Sequence, residues 1–159
     1  MKNIKKRALA RLATAAIVLP LTVVGVSGEA SARDGDTEKW RNVATDLCLN
    51  HDGRHDVFTS RDCSRGWTDR AVSEDSSGQG TYRMAWHVAG KDQLCLDSSD
   101  AGRVYMNPCN GGKYQMWRQI KTSKGWQIIN VATNKALDSS DGGKVYTKPI
   151  NTGSYQLWK

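Results

Sequence analysis

The sequence predicts an all-β protein, a closed or nearly closed sheet assembled from three copies of one unit. The first observation is an internal repeat. LDSSDAGRVYMNPCNGGKYQMW (96–117) returns 41 residues later as LDSSDGGKVYTKPINTGSYQLW (137–158), with 14 of 22 positions identical. A repeat of about this period sets the architecture, because one such unit cannot bury its own apolar face. The second observation is local. Runs such as WQIINV and RVYM are short, and SSDAG, SSDGG, CNGG and NTG bound them as turns. No 11-residue window after residue 32 shows a helical period. Short strands joined by Gly- and Asp-rich turns suit a closed antiparallel sheet.

Residues 1–32 read as a secretion signal peptide of the bacterial Sec type. MKNIKKRALAR carries five basic residues, LATAAIVLPLTVVGV is an apolar run, and Ala30-Ser31-Ala32 is a small-residue cleavage pattern. The run is short for a membrane span and Pro20 interrupts it. The expected mature chain starts at Arg33 and holds 18 basic and 15 acidic residues, a net charge of +3. The basic character thus belongs largely to the leader, and no Lys/Arg-rich block with interleaved aromatics remains for nucleic acid. Residues 33–38 have no apolar content and are expected to be a flexible start.

Residues 39–159 are expected to form one domain of three units, at about 39–80, 81–120 and 121–159. The third copy lies upstream, in KWRNVATDLCLNHDGRHDVFTSRDC, so that Trp40, Trp86 and Trp126 open the units. Cys48, Cys95 and Ala136 then fall at equivalent points, and Cys63, Cys109 and Ile150 close equivalent loops. SEDSSGQGTY (73–82) reads as a loop between the first two units. Four cysteines in an exported chain read as two disulfides with three possible pairings. One bridge per unit selects Cys48–Cys63 and Cys95–Cys109, each worth about 3 kcal/mol for a loop of this length. The third unit has lost both members of its pair.

A threefold repeat with C-L-D early and Q-x-W late resembles the ricin-type β-trefoil lectin family, over essentially residues 38–159. Cys95-Leu96-Asp97, Val104-Tyr105, Pro108-Cys109 and Gln115-Met116-Trp117 carry the resemblance, as do Leu137-Asp138, Val145-Tyr146, Pro149 and Gln156-Leu157-Trp158. It implies a β-trefoil: a six-stranded barrel capped by three hairpins, with pseudo-threefold symmetry. Trp117 and Trp158 would then lie in the shared core.

The resemblance also implies a shallow sugar pocket per unit. An Asp accepts hydrogen bonds from sugar hydroxyls, an aromatic ring covers the C–H face, an amide donates, and the Gln holds the Asp. In the second unit these positions are Asp97, Asn107 in place of the aromatic platform, Tyr114 in place of the donor amide, and Gln115. Tyr105 lies two residues before Asn107, so strand alternation sets it on the same face. In the third unit they are Asp138, Tyr146, Lys148, Tyr155 and Gln156, and Lys148 at the platform position suits an acidic glycan. The first unit has Asn50 for the Asp and GWTDRAV for Q-x-W, and no working pocket is expected there. A purely structural role is the competing reading: Asp97 and Asp138 sit in LDSSDxG, where such a residue caps a turn.

Other chemistry finds no support. His51 and His55 lie in a turn-rich stretch with no shared helix face for zinc. The DSSDxG segments lack the Glu of a calcium loop. No G-x-S-x-G occurs, and no catalytic residue, metal or cofactor is expected. The leading expectation is a secreted, non-catalytic module whose partner is a glycan or polysaccharide, acting as a monomer, without nucleic acid or membrane insertion. The alternative is a protein-interaction module, such as a targeting subunit of a secreted toxin or hydrolase, or a trefoil inhibitor; Asn107 and Lys148 favour it.

Overall fold

A computed structural model describes residues 35–88 and 91–159. The expected signal peptide (1–32) and residues 33–34 lie outside the described residues. The described residues run through twelve strands: β1 (Thr37–Glu38), β2 (Cys48–His51), β3 (Val57–Ser60), β4 (Trp67–Glu74), β5 (Gly80–Val88), β6 (Lys91–Ser98), β7 (Val104–Pro108), β8 (Trp117–Thr122), β9 (Gly125–Asn130), β10 (Lys135–Ser139), β11 (Val145–Pro149) and β12 (Leu157–Trp158). Short 3-10 turns, Lys113–Gln115 and Ser154–Gln156, precede β8 and β12. There is no α-helix among the described residues.

Pairing closes a six-stranded barrel. β1 pairs β4, β4 pairs β5, β5 pairs β8, β8 pairs β9 and β9 pairs β12. The ring is completed where residues 41–43 meet the C-terminus: Arg41 N–H donates to Lys159 O at 2.8 Å and Lys159 N–H returns a bond at 2.9 Å. Three hairpins, β2–β3, β6–β7 and β10–β11, cap the barrel. The fold is a β-trefoil, as the repeat and the family resemblance imply.

The hairpins are linked in a cycle. Thr59 N–H donates to Gly143 O, Met106 N–H to His55 O and Thr147 N–H to Gly102 O, each at 2.8 Å. Each hairpin's second strand therefore bonds to the turn of another hairpin. This contact needs glycine twice. Gly102 and Gly143 have φ of +85° and +80°, and a Cβ there would stand 2.7 and 2.8 Å from the carbonyl of Thr147 and of Thr59. Side chains from all three units fill the interior. Trp67, Trp117 and Trp158 pack with Leu49, Leu96 and Leu137 and with Met84 and Ile128, all fully or nearly fully buried. Each indole N–H donates to the leucine carbonyl of its own unit: Trp67 to Leu49 O (3.1 Å), Trp117 to Leu96 O (2.8 Å) and Trp158 to Leu137 O (3.2 Å).

Strand register corrects the expected alignment of the units. Arg41 opposes Cys48, Ala85 opposes Cys95 and Ile129 opposes Ala136. Trp40 is therefore equivalent to Met84 and Ile128, not to Trp86 and Trp126. Trp86 takes the place of Asn42 and Asn130, and Trp126 that of Tyr82. The second unit spends three more residues between these paired positions, so tryptophan spacing loses phase across it. The equivalence of Cys48, Cys95 and Ala136 does follow from this register. Residues 35–38 are also not loose. Gly35 N–H donates to Asp69 O at 2.6 Å, and Thr37 and Glu38 pair with Thr68 and Trp67. The edge of β4 needs a partner to close the barrel, and backbone groups supply it whatever the side chains. The 73–82 loop is shorter than expected, because β4 runs to Glu74 and β5 starts at Gly80.

Both bridges form as one per unit, Cys48–Cys63 and Cys95–Cys109. His51 occupies the place of Ser98 and Ser139 and is 1% exposed, its ring 5.0 Å from that of Trp67 and 4.9 Å from that of Trp86. Neither ring nitrogen finds a hydrogen-bond partner. Burial, reinforced by the Arg65 charge and opposed by Asp52, lowers its pKa to about 4.

Two stability outcomes are expected. The double variant Cys95→Ser, Cys109→Ser should lose about 3 kcal/mol in urea denaturation. For His51, the fold accepts the neutral ring, so the unfolded chain takes up the proton first on acidification. Stability should be complete above about pH 6.5 and fall toward pH 4, by about 3 kcal/mol from this group. Comparing urea midpoints at neutral and acid pH in wild type and His51→Leu should show a smaller acid loss in the variant.

Candidate functional site

The second-unit site grows from the core register. Leu96 points inward and accepts the Trp117 indole, so Asp97, the next residue on β6, faces the opposite side of the strand. Gln115 ends the 3-10 turn two residues before Trp117 and is fully buried. Its Nε2 donates to Asp97 Oδ2 and to Pro108 O, each at 3.0 Å, and its Oε1 accepts from Asn110 N–H at 2.8 Å. One amide thus fixes the carboxylate, the end of β7 and the following loop. Asn107 Nδ2 adds a second bond to Asp97 Oδ2 at 3.1 Å. Asp97 Oδ1 is buried and has no donor in hydrogen-bonding geometry.

Around this carboxylate lies an open pocket of about 350 Å³, lined by Asp100, Tyr105, Asn107, Asn110 and Tyr114. The Tyr114 hydroxyl donates to Asp100 Oδ2 at 2.9 Å, and that bond together with the Asp100 charge raises the phenol pKa. Burial and then the Asp97 charge raise that of Tyr105. The Arg103 guanidinium stands 5.3 Å from the Tyr105 ring centroid.

The third unit builds the same pocket, of about 330 Å³, without a disulfide. Gln156 Nε2 donates to Asp138 Oδ2 and Pro149 O at 3.0 Å, and Asn151 N–H donates to Gln156 Oε1 at 2.8 Å. The Tyr155 hydroxyl donates to Asp141 at 3.0 Å, which raises its pKa in the same way. Lys148 departs from Asn107: its ammonium lies 4.8 Å from the Tyr146 ring centroid, a cation–π contact. The Tyr146 hydroxyl donates to Ser139 O at 3.3 Å.

These positions sharpen the sequence expectations. Asp97, Tyr105, Asn107 and Tyr114 come together in one pocket, and Asp138, Tyr146, Lys148 and Tyr155 in the other. Gln115 and Gln156 stand behind the carboxylates and line neither pocket. Tyr114 and Tyr155 supply no amide; they bind Asp100 and Asp141 instead. Those two aspartates, together with Asn110 and Asn151, are pocket residues the sequence reading passed over, although both pairs repeat at the 41-residue offset. The turn-capping role falls to Ser99 and Ser140, whose hydroxyls accept from Arg103 and Lys144 N–H at 3.2 Å. A further support comes from Asn130 and Asn42, whose amides donate to Tyr114 O and Tyr155 O at 2.7 and 2.8 Å. The repeated N-V-A-T at 42–45 and 130–133 was its signal.

In the first unit Asn50 stands where Asp97 does. Its amide donates to Ser60 Oγ at 2.8 Å and to Asp62 O, the carbonyl that Gln115 and Gln156 satisfy elsewhere. Phe58 occupies the place of Tyr105. This unit therefore presents neither a carboxylate nor a phenol at those positions. Among the described residues no group of three His, Cys, Asp or Glu side chains is placed to hold a metal ion.

Comparison with solved structures finds the same fold in proteins of low identity. A designed threefold-symmetric protein, ThreeFoil, is 20% identical with a TM-score of 0.63, covering 77% of this chain and 96% of its own. A Polyporus squamosus lectin, solved with the human-type influenza-binding epitope Neu5Aca2-6Galb1-4GlcNAc, is 21% identical with a TM-score of 0.60 over 81% of this chain and 49% of its own. An exo-beta-1,3-galactanase from Clostridium thermocellum is 19% identical with a TM-score of 0.62 over 77% of this chain and 29% of its own. The chain thus spans about half of that lectin and less than a third of that enzyme. A search of curated protein sequences finds no match. Residues 36–158 match the ricin-type beta-trefoil lectin domain, and on that match, with the trefoil barrel beneath it, the chain belongs to this family.

Proposed function

We propose that the protein is a secreted, non-catalytic carbohydrate-binding module that holds sugars in the second- and third-unit pockets. The supporting observation is what the two carboxylates do. Asp97 and Asp138 cap no turn, since Ser99 and Ser140 take that role. Each is instead held through Oδ2 by a buried glutamine at the wall of an open pocket. Both carboxylates line their pockets, and a hydroxyl donating to a carboxylate makes a charge-assisted bond, the strong kind. Tyr105 and Tyr146 offer ring surface for the C–H face of the sugar. The pockets lie at the low end of the size range for small-molecule sites, which suits one sugar each.

Two disulfides accord with export, and two sites on one rigid barrel suit a polymer, where avidity multiplies weak single-site binding. The epitope and the galactanase named among the structural neighbours make galactose-containing glycans the first to test.

In a galactan pull-down and a calorimetric titration with galactose, wild type should bind with a single-site Kd of about 1 mM. Asp97→Ala and Asp138→Ala should each remove one site, and together they should abolish binding. Gln156→Ala should weaken the third-unit site by about tenfold by freeing Asp138, without touching the ligand. Undiminished binding by the double Asp variant would overturn the proposal.

A further inference from the structure

The third unit carries a groove that the sugar pocket does not use. It has a volume of about 410 Å³ and is lined by Thr122 at the end of β8, by Lys124 of the β8–β9 turn, by Gln127, and by Ile150, Thr152 and Leu157. Its surface is mainly apolar, whereas that of the sugar pocket is an even mixture of polar and apolar. Ile150 stands where the second unit has Cys109, and with no partner cysteine at Ala136 it is 45% exposed. Ile120, also exposed, faces Gln127 across the β8–β9 ladder.

Groove and pocket share one residue, Asn151. Its N–H donates to Gln156 Oε1 at 2.8 Å on the pocket side, and its carbonyl accepts from Gln127 Nε2 at 2.9 Å on the groove side. The glutamine that positions Asp138 therefore also pins the divide between the two cavities. In the second unit, Arg83 takes the place of Gln127 and Cys109 that of Ile150, so the groove is built from positions where the units differ.

We propose that this groove is a second subsite of the third-unit pocket and receives a hydrophobic aglycone carried by the bound sugar. The inference rests on the carbohydrate reading above. A mainly apolar groove that shares a wall residue with a carboxylate-bearing pocket suits a ligand that is polar at one end and apolar at the other. Ile150 and Leu157 supply the apolar contact, and the threonine methyl groups border it. Asn151, bonded on both sides, keeps the two subsites at a fixed separation, so that a ligand spanning them loses little to protein reordering.

The test is an NMR titration of the ¹⁵N-labelled chain with methyl β-D-galactopyranoside and with 4-nitrophenyl β-D-galactopyranoside. Both should shift Asp138 and Tyr146 resonances. Only the aryl glycoside should shift Thr122, Gln127 and Ile150, and it should bind roughly fivefold tighter. Ile150→Ser, an exposed change, should remove that advantage and leave the methyl glycoside unaffected. Pocket shifts without groove shifts, or equal weakening of both glycosides by Ile150→Ser, would overturn the subsite while leaving the sugar site standing. Groove shifts without pocket shifts would show an independent apolar site and overturn the proposal that one ligand spans both. No pocket shift with either glycoside would overturn both readings for galactosides.

Discussion

The hydrogen bond from each core indole to a leucine carbonyl of its own unit is the constraint on which the rest of the molecule depends. Trp67, Trp117 and Trp158 each join the last barrel strand of a unit to the first strand of its hairpin. In the dry interior an unpaired indole N–H or carbonyl costs about 1–3 kcal/mol, so the register between the two strands is tightly held. The next residue on the hairpin strand is Asp97 or Asp138, and the residue two before the tryptophan is Gln115 or Gln156. The interaction that closes the core therefore also sets the carboxylate against its amide.

Buried glutamine is the joint between fold and site. Gln115 and Gln156 use both Nε2 protons and the Oε1 acceptor on groups of three different segments. A fully satisfied buried amide is rigid, whereas a half-satisfied one is costly. The first unit shows the alternative. Asn50 reaches the equivalent carbonyl with its own amide, and no carboxylate is left to present. The same strand positions thus serve folding in all three units and set a carboxylate at an open pocket in two.

Much of the fold was legible in the sequence because repetition is a strong signal. The 41-residue offset and the C-L-D and Q-x-W residues point to three units around one axis, and one cysteine pair per unit gives the observed bridges. Tryptophan spacing misled where it crossed the second unit, because the extra residues before Cys95 shift Trp86 into the place of an asparagine. Phase along a barrel strand follows from backbone pairing, and N-V-A-T tracks it better than the more conspicuous aromatics. Polar composition likewise said nothing about residues 35–38, whose backbone completes the barrel.

By itself the sequence determined that three similar units share a core, which residues repeat, and that Asp, Tyr and Gln recur in step with the core tryptophans. Periodicity records such requirements directly, since every copy must meet the same neighbours. Tertiary structure alone decided which of the repeated residues face a pocket and which stand behind it. Gln115 lies buried at the back, Asp100 turns toward Tyr114, and Lys148 lies over Tyr146 where Asn107 bonds Asp97. Those choices depend on distances between strands and turns far apart in the chain, which spacing along one segment does not encode.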